Sequence, residues 1–573
     1  MSSIIQALDN YTPTQVGENG HTEYGWSNNM QEQILQFSFQ LTRTSDDGIR
    51  QLRVQLTNML KYLTNTIKTG SISEKQVAIG YLSILYRMVG HTRDIIDGKG
   101  ECTLTYMMIC VWYDFYPELA KFALKCLVFM GDKSIHQYGS WKDIKYCCQY
   151  LKNTCLNETH PLINYAIELT NTQLTIDYEA LLAGSDSVTL VSKWIPREKS
   201  AFGWLYNQLA TSFFSYIDTA KTVSSRSKAI LKSKTEYRKI LSKLNKKLDT
   251  LQIKQCNQEW SNIDFGIVTS ISLTKQKKAF QNIKHNGEIR HSDNEDRIVC
   301  ANNFKSHIKK AIEGGNELKG SRVSMVDFTK QALSLHLEGS DNKLEMDLLN
   351  SQWRDSSSLN GKLGNMIPMV DTSGSMSGDP LHAAIALGIR IAEKSAIGKR
   401  VMTFNTKPTW VNLEGCDDFV SQVGAIHRGE WGMNTNFHAA LDMILNVIIQ
   451  NKLPPEEVQD MVLVVLSDMQ MDQGDNCDKS VLYDTMKRKY AEAGHTPPHI
   501  LFWNLRNSSG FPSLSSQSNC SMMSGFSPAL LNSFCDQGMA SLQACTPWSV
   551  LEKSLENDRY QIMGDKFAQE ISM

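Results

Sequence analysis

The apolar residues between positions 30 and 330 recur with the period of an α-helix. "EKQVAIGYLSILYRMVG" (74–90) puts four apolar side chains on one helical face: Val77, Tyr81, Ile84 and Met88. The same period runs through three further segments: 104–131 (interrupted at Pro117), 141–153 and 161–174. A succession of amphipathic helices, each of about 12 to 18 residues, predicts an α-solenoid or a helical bundle.

The pattern changes after the Ser/Gly/Asn-rich stretch 354–365. Short apolar runs that predict strands now alternate with helical segments. The predicted strands are 366–370, 400–404, 408–413, 460–468 and 499–505. Predicted helices lie between them at 380–396 and 436–450. This alternation is typical of an α/β doubly wound, Rossmann-like sheet, so we expect a multidomain chain with an all-α, helical-repeat-like first part.

A chain of 573 residues is too long for one ordinary core. We expect three parts. Residues 1–29 are polar and are predicted to be poorly ordered. Residues 30–355 would form the α-helical, HEAT-like domain, and residues 356–573 the α/β domain.

Composition excludes a membrane protein and a disulfide framework. The chain is 41% hydrophobic and 21% charged, and no run of apolar residues is long enough to span a bilayer. Its 13 cysteines are scattered, and none forms a C-x-x-C pair. Free thiols and the absence of a recognisable targeting signal predict an intracellular, cytoplasmic protein, or a virion component if the source is a giant virus.

The charge is unevenly distributed. Residues 361–573 carry 16 Lys and Arg against 23 Asp and Glu. Because the whole chain has 59 basic and 60 acidic residues, residues 1–360 carry 43 basic and 37 acidic residues. Residues 221–254 alone hold 11 basic residues against two acids, which indicates either a solvated helix face or a nucleic-acid contact. The candidate contacts are Lys228, Lys232, Lys234, Arg238, Lys239, Lys243, Lys246 and Lys247.

Acidic and hydroxyl side chains follow two of the predicted strands. "VDTSGSM" places Asp371, Ser373 and Ser375 after the first strand, and Asp468 ends "VLVVLSD". In an open parallel sheet the carboxyl ends of the strands share one edge, so these groups should meet. Thr435, in a loop before a helix, could join them. Carboxylates and hydroxyls are hard oxygen ligands, which favours Mg²⁺ or Mn²⁺ over zinc.

These segments, together with "GMNTNFHAAL", resemble the von Willebrand factor A domain and its metal-ion-dependent adhesion site. The resemblance implies that one divalent ion is held, directly or through water, by five residues: Asp371, Ser373, Ser375, Thr435 and Asp468. It also implies an open coordination position that accepts a carboxylate from a protein partner.

A wider resemblance covers most of residues 40–540. "TRDIIDGKGE" (92–101), "YGSWKDI" (138–144) and "MMSGFSPALL" (522–531) resemble an uncharacterised two-part family of plants, fungi and giant viruses. That family joins a helical N-terminal region to a von Willebrand factor A-like half. The layout is similar to that of the Ro autoantigen, which implies RNA binding by analogy of architecture.

The sequence contains no phosphate-binding loop, dinucleotide fingerprint or nucleophile elbow. We therefore expect a non-enzymatic scaffold that binds a divalent ion and an acidic protein partner, without a small-molecule cofactor. Two alternatives stay open. One is a Ro-like ribonucleoprotein component that uses the basic helical part, and the other is a metal-dependent hydrolase in which the ion activates water.

Overall fold

A computed structural model gives the structure of the protein. It describes residues 11–131, 135–315, 317–339, 342–429, 432, 435–472, 481–535 and 539–572, without the side chains of 539–541.

Helices make up the part of the chain before the sheet. They are α1 (Met30–Gln40), α2 (Asp46–Thr69), α3 (Ile72–Arg93), α4 (Cys102–Phe115), α5 (Pro117–Cys126), α6 (Trp141–Cys155), α7 (Pro161–Leu182), α8 (Val191–Trp194), α9 (Gly203–Ser212), α10 (Val223–Lys247), α11 (Leu251–Cys256), α12 (Ser270–Phe280), α13 (Glu295–Glu313), α14 (Met325–Glu338) and α15 (Lys343–Ser357).

Local sequence explains where several of these helices begin. Ser71 and Glu74 form a capping box at the start of α3, in which each side chain bonds the other residue's backbone N–H. Pro117 opens α5, where its missing N–H is not needed, and so separates α5 from α4 as predicted. The prediction of a helical first part is confirmed.

The apolar face predicted for 74–90 is only partly correct. Met88 is fully buried as predicted, but Val77 is 52% exposed and Tyr81 and Ile84 are half-buried. The other buried apolar side chains of this stretch are Ala78, Leu82, Leu85, Tyr86 and Val89. The helix is apolar on much of its circumference, so its own pattern does not select one stripe; the neighbouring helices do.

The α/β part contains a six-stranded sheet, which follows two short N-terminal strands, β1 (Thr14–Val16) and β2 (Thr22–Tyr24). Its strands are β3 (Asn365–Asp371), β4 (Arg400–Phe404), β5 (Thr409–Asn412), β6 (Met461–Ser467), β7 (His499–Asn504) and β8 (Cys520–Ser524). Their order across the sheet is β5-β4-β3-β6-β7-β8. All neighbours run parallel except β4 and β5. Chain order reverses between β3 and β6, which makes their shared carboxyl end the switch point of a doubly wound sheet, as predicted.

Helices connect and cover the strands. They are α16 (Asp379–Lys394), α17 (Phe419–His427), α18 (Phe437–Asn451), α19 (Pro455–Gln459), α20 (Leu482–Glu492), α21 (Met539–Ala544), α22 (Pro547–Leu555) and α23 (Asp558–Ile571). β8 lies inside 507–525, a serine-rich stretch that is not among the predicted strands.

The two faces of the sheet belong to different hydrophobic cores. Along β6, Leu463 and Val465 join the core that α1 to α7 build, whereas Val464 and Leu466 join a core with α14 to α17. This alternation follows from the two-residue period of a strand. On one sheet face, α18 and α20 pack in the first of these cores, and α1 of the helical first part contacts β8. On the other face, α14 and α15, which precede residue 356, share a core with α16 and α17.

Part of the N-terminus is ordered, contrary to the expectation for 1–29. Strands β1 (Thr14–Val16) and β2 (Thr22–Tyr24) pair as an antiparallel hairpin. Tyr24 then exchanges backbone hydrogen bonds with Phe511 beside the sheet, which satisfies polar groups that the local sequence leaves unpaired. Residues 1–10 lie outside the described residues.

The charged loop between α3 and α4, residues 94–101, connects the helical first part to α23 and to the sheet; we call it the junction loop. The carboxylate of Asp94 is fully buried and accepts two 2.6 Å hydrogen bonds from Arg559 of α23. Tyr560 of the same helix donates to it at 3.1 Å. Gly98 packs so closely that a Cβ would lie 2.1 Å from the His91 carbonyl oxygen, which requires glycine.

Lys99 is the second buried charge of the junction loop. Its Nζ donates to the carbonyl oxygens of Ser38 and Leu41 and, at 2.6 Å, to the hydroxyl of Ser524 at the end of β8. The side chain therefore links α1, the junction loop and the sheet. Burial lowers the pKa of Lys99 to about 7, although the nearby Glu101 carboxylate acts in the opposite direction.

The described cysteines are all free thiols. Within the described ranges, no helix is both long enough and apolar enough to cross a membrane.

Replacing Lys99 by Met should make stability respond differently to pH. The pKa of Lys99 is lower in the folded protein than in the unfolded chain, so the unfolded chain binds more protons and wild-type stability rises with pH. We expect the stability of wild type relative to Lys99→Met to increase by about 2 kcal/mol from pH 7 to pH 9. Denaturant unfolding at both pH values measures this. The exposed control Lys61→Met should show no such trend, and a pH-independent difference for Lys99→Met would contradict the expectation.

Candidate metal site at the sheet switch point

Asp371 ends β3 and lies at the switch point, fully buried. One carboxylate oxygen accepts a 2.9 Å hydrogen bond from the Ser373 backbone N–H. The other accepts a 2.6 Å hydrogen bond from the hydroxyl of Ser467, the last residue of β6. Burial, and then the charge of nearby Asp468, raise the pKa of Asp371 to about 7. The two aspartates are thus close enough to repel each other, as predicted from their strand ends.

The two serines of the D-x-S-x-S segment lie together beyond Asp371. Their hydroxyl oxygens are 3.1 Å apart. A short 3-10 turn, Gly374–Met376, holds Ser375 in a half-buried position. The loop is anchored to β4, because Asn405 donates a 3.1 Å hydrogen bond to the hydroxyl of Thr372.

Thr435 enters the site from the loop before α18. It is fully buried, and its hydroxyl oxygen has no hydrogen-bond partner among the residues that the structure describes. Its backbone N–H donates to the Asp472 carboxylate at 2.8 Å, and its carbonyl oxygen accepts from the Asp472 N–H at 3.0 Å. The backbone is therefore tied to the loop that follows Asp468, while the hydroxyl remains available.

Asp468 follows β6 and is also fully buried. Its carboxylate accepts a 3.2 Å hydrogen bond from the Gln470 N–H and lies 3.3 Å from a guanidinium nitrogen of Arg506. Contacts thus link Asp371, Ser373, Ser375 and, through Arg506, Asp468 around the switch point. Asp472 ties Thr435 to the loop that follows Asp468.

Sequence reasoning missed four residues that support this site: Ser467, Asn405, Asp472 and Arg506. Asn405 and Arg506 follow the carboxyl ends of β4 and β7, so the rule that selected Asp371 would have found them if applied to every strand. Ser467 directly precedes Asp468 in "VLSD". Asp472 gives no local signal of its contact with Thr435.

The residues present fit a hard divalent cation. Two carboxylates that repel each other and a buried, unpartnered hydroxyl are donors that a cation would satisfy. Among the described residues, no cluster of three or more His, Cys, Asp or Glu side chains could hold a metal. The candidate donors are two carboxylates and three hydroxyls, without His or Cys, and such a set is unlike a zinc site.

The N-terminal hairpin lies beside this site. The Gln470 side chain accepts a 2.7 Å hydrogen bond from the Glu18 N–H and donates at 3.3 Å to the buried Glu23 carboxylate. The Gln470 carbonyl oxygen accepts from the Asn19 side chain at 2.8 Å. Gly20 forms a β-bridge with Asp472. The hairpin thereby supports the loop that carries Asp468.

The predicted nucleic-acid contacts all lie on α10. Ion pairs engage half of them: Lys234, Arg238, Lys239 and Lys247. The others are exposed on the same helix: Lys228, Lys232, Lys243 and Lys246. α10 thus keeps some basic surface, but intramolecular pairing reduces its charge.

Fold and site together define a two-part protein with a helical first region and an α/β region whose polar residues gather at the switch point. Residues 365–568 match a family described as "Domain of unknown function (DUF7788)". The chain is also 28% identical, over 538 residues, to "Uncharacterized protein L728" of Acanthamoeba polyphaga mimivirus. That similarity covers 90% of this chain and 83% of the viral protein, so it extends through both regions.

Replacing Gln470 by Leu should loosen the hairpin, because the Glu18 N–H and the Glu23 carboxylate lose their hydrogen bonds to the Gln470 side chain. We expect amide hydrogen exchange in residues 14–24 to become about tenfold faster. Mass spectrometry of peptic peptides measures this. Gln561→Leu, which removes an exposed contact with Asp565, is the control. Unchanged exchange in Gln470→Leu would mean that other contacts hold the hairpin.

Proposed function

We propose that this protein is a non-enzymatic scaffold whose α/β region binds Mg²⁺ or Mn²⁺ and, through the ion, a carboxylate of a protein partner. The observation that carries the proposal is the proximity of Asp371 and Asp468 at the switch point. There, the loop that leads to the unpartnered Thr435 hydroxyl is bridged to Ser373 through Gly432. Two carboxylates neutralise a divalent ion only when both coordinate it directly; where they act through water, the serine and threonine hydroxyls leave the charge of the ion incompletely neutralised. An ion of this kind attracts an external anion.

The likeness of residues 356–573 to the von Willebrand factor A domain supports the same proposal. The doubly wound sheet order and the positions of Asp371, Ser373, Ser375, Thr435 and Asp468 agree with that likeness. We assign the divalent ion to these five residues. When bound, it would supply a Lewis-acidic centre, and the residues of this chain would orient it and exclude bulk water from the buried side.

Asp371→Asn should abolish divalent-ion binding, because the amide removes one of two charges without changing the shape of the side chain. We expect affinity for Mg²⁺ and Mn²⁺ to fall by roughly 100-fold or more, measured by isothermal titration calorimetry. Asp442→Asn, at a surface ion pair with Lys489, is the matched control and should bind like wild type. Retention of wild-type affinity in Asp371→Asn would refute the metal site.

The partner carboxylate has its own test. Peptide arrays that pair each Asp or Glu with its Asn or Gln counterpart, probed in Mg²⁺ and in chelator, should show binding only for the acidic member and only with Mg²⁺. Binding that persists in chelator would separate partner recognition from the ion.

A second candidate function, single-stranded nucleic-acid binding, is favoured by a surface of α6 and residues 193–204, which we call the Lys–aromatic patch. Three ammonium groups lie over aromatic rings there. Lys145 is 5.1 Å from the Trp194 ring, Lys142 is 5.3 Å from the Tyr146 ring, and Lys193 is 5.7 Å from the Trp194 ring. None of the three lysines forms an ion pair within the described ranges.

The Lys–aromatic patch combines the two features of surfaces that bind single-stranded nucleic acids, which are cationic side chains for the phosphates and exposed aromatic rings for the bases. Tyr146 is 41% exposed and packs edge-to-face against Phe202, so a ring is accessible for base stacking. Burial, and for Lys145 also the charge of Lys142, lower the pKa values of Lys145 and Lys193. A phosphate would relieve this cost. The patch has lysines without ion pairs beside aromatic rings, whereas half of the candidate contacts on α10 are engaged in ion pairs.

Replacing Lys142, Lys145 and Lys193 together by Gln should weaken binding of a single-stranded oligouridine RNA. Fluorescence anisotropy at several salt concentrations should show the slope of log K against log salt falling by about 2, since each lost phosphate contact removes about 0.7. The matched control changes Lys228, Lys239 and Lys246 of α10. A loss confined to that control would place RNA on α10, and no binding by wild type would exclude this function.

A further inference from the structure

Arg506 is the cationic side chain that contacts the candidate metal site. It follows β7, and one guanidinium nitrogen lies 3.3 Å from the Asp468 carboxylate and 3.4 Å from the Ser375 carbonyl oxygen. Its backbone is fixed, because its N–H donates to the Asn504 side chain, which itself donates to the Phe39 carbonyl oxygen. The backbone of Arg506 is therefore held in place, while its guanidinium group lies against Asp468 and Ser375.

The charge balance around Asp468 depends on this arginine. Asp468 is fully buried, and Arg506 is its ion-pair partner among the described residues. The pair is loose, since both contacts are longer than 3.2 Å and come from one nitrogen. The Arg506 side chain is 44% exposed, and within the described ranges the other guanidinium nitrogen has no acceptor. A guanidinium that uses one edge on the protein can offer the other to a ligand.

We propose that Arg506 competes with the divalent ion for Asp468 and, once displaced, becomes the second anchor for the partner's aspartate or glutamate side chain. The proposal rests on the proposed function. A doubly charged ion beside Asp468 repels the guanidinium and takes over its carboxylate partner. The freed guanidinium group then faces solvent beside the site, where two of its N–H groups match the two oxygens of a carboxylate. Arg506 would thereby make the site specific for an acidic side chain.

The inference predicts opposite effects on two affinities. Arg506→Gln removes the competitor, so Mn²⁺ should bind about five- to tenfold more tightly by calorimetry. In saturating Mn²⁺, the acidic peptide selected on the arrays should bind about tenfold more weakly, because its second anchor is lost. Arg506→Lys keeps the charge but not the guanidinium group, so it should leave Mn²⁺ affinity near wild type and still weaken the peptide. Arg50→Gln, at an exposed ion pair with Asp47, is the control.

The outcomes separate this inference from the proposed function. If Asp371→Asn loses Mn²⁺ while Arg506→Gln binds Mn²⁺ and peptide like wild type, the site stands and the role of Arg506 is refuted. If wild type binds no Mn²⁺, both are refuted. Weaker Mn²⁺ binding by Arg506→Gln would also overturn the inference, since it would mean that Arg506 supports the ion. If Arg506→Gln does not fold, Arg506→Lys decides through its peptide affinity alone.

Discussion

The architecture depends on burying the charges of the junction loop. Asp94 and Lys99 lie where α1, α23 and the end of β8 meet, and each has its partners on elements far away in the chain. A buried charge without these partners is strongly unfavourable, whereas an apolar surface tolerates many arrangements. The polar contacts therefore select one arrangement of the helical region against the sheet, and apolar packing then stabilises it.

The position of the candidate site follows from that arrangement. β3 and β6 meet at the switch point, which brings Asp371 and Asp468 together. The helical region joins the core on one sheet face, and the N-terminal hairpin supports the Asp468 loop through Gln470. Binding groups are thus supplied by strand ends, while their orientation is set by segments from elsewhere. Arg506 illustrates this division, since Asn504 ties its backbone to α1.

Local patterns were sufficient to predict the helices of the first part, the break at Pro117 and five of the strands. They also predicted that Asp371 and Asp468 lie at the same edge of the sheet. These features depend on periodicity and strand ends, which are short-range properties of the sequence. Local patterns failed where distant segments decide. The buried face of α3 is chosen by its neighbours. β8 has a serine-rich sequence whose strand conformation comes from pairing with β7. The hairpin is ordered by contacts such as that of Glu18 with Gln470, 452 positions away.

The two ends of the chain have an evolutionary consequence. The hairpin packs beside the Asp468 loop, whereas α23, at the other end of the sequence, packs on α3 of the helical region. Each region is thus completed by a segment from the opposite end of the sequence, and the two regions are not consecutive, independent units. A recombination event that transferred only residues 365–568 would keep α16 to α20 on the sheet but would remove α14 and α15 from one core and the helical region from the other. The regions are best inherited together, in keeping with the viral relative, whose similarity extends through both.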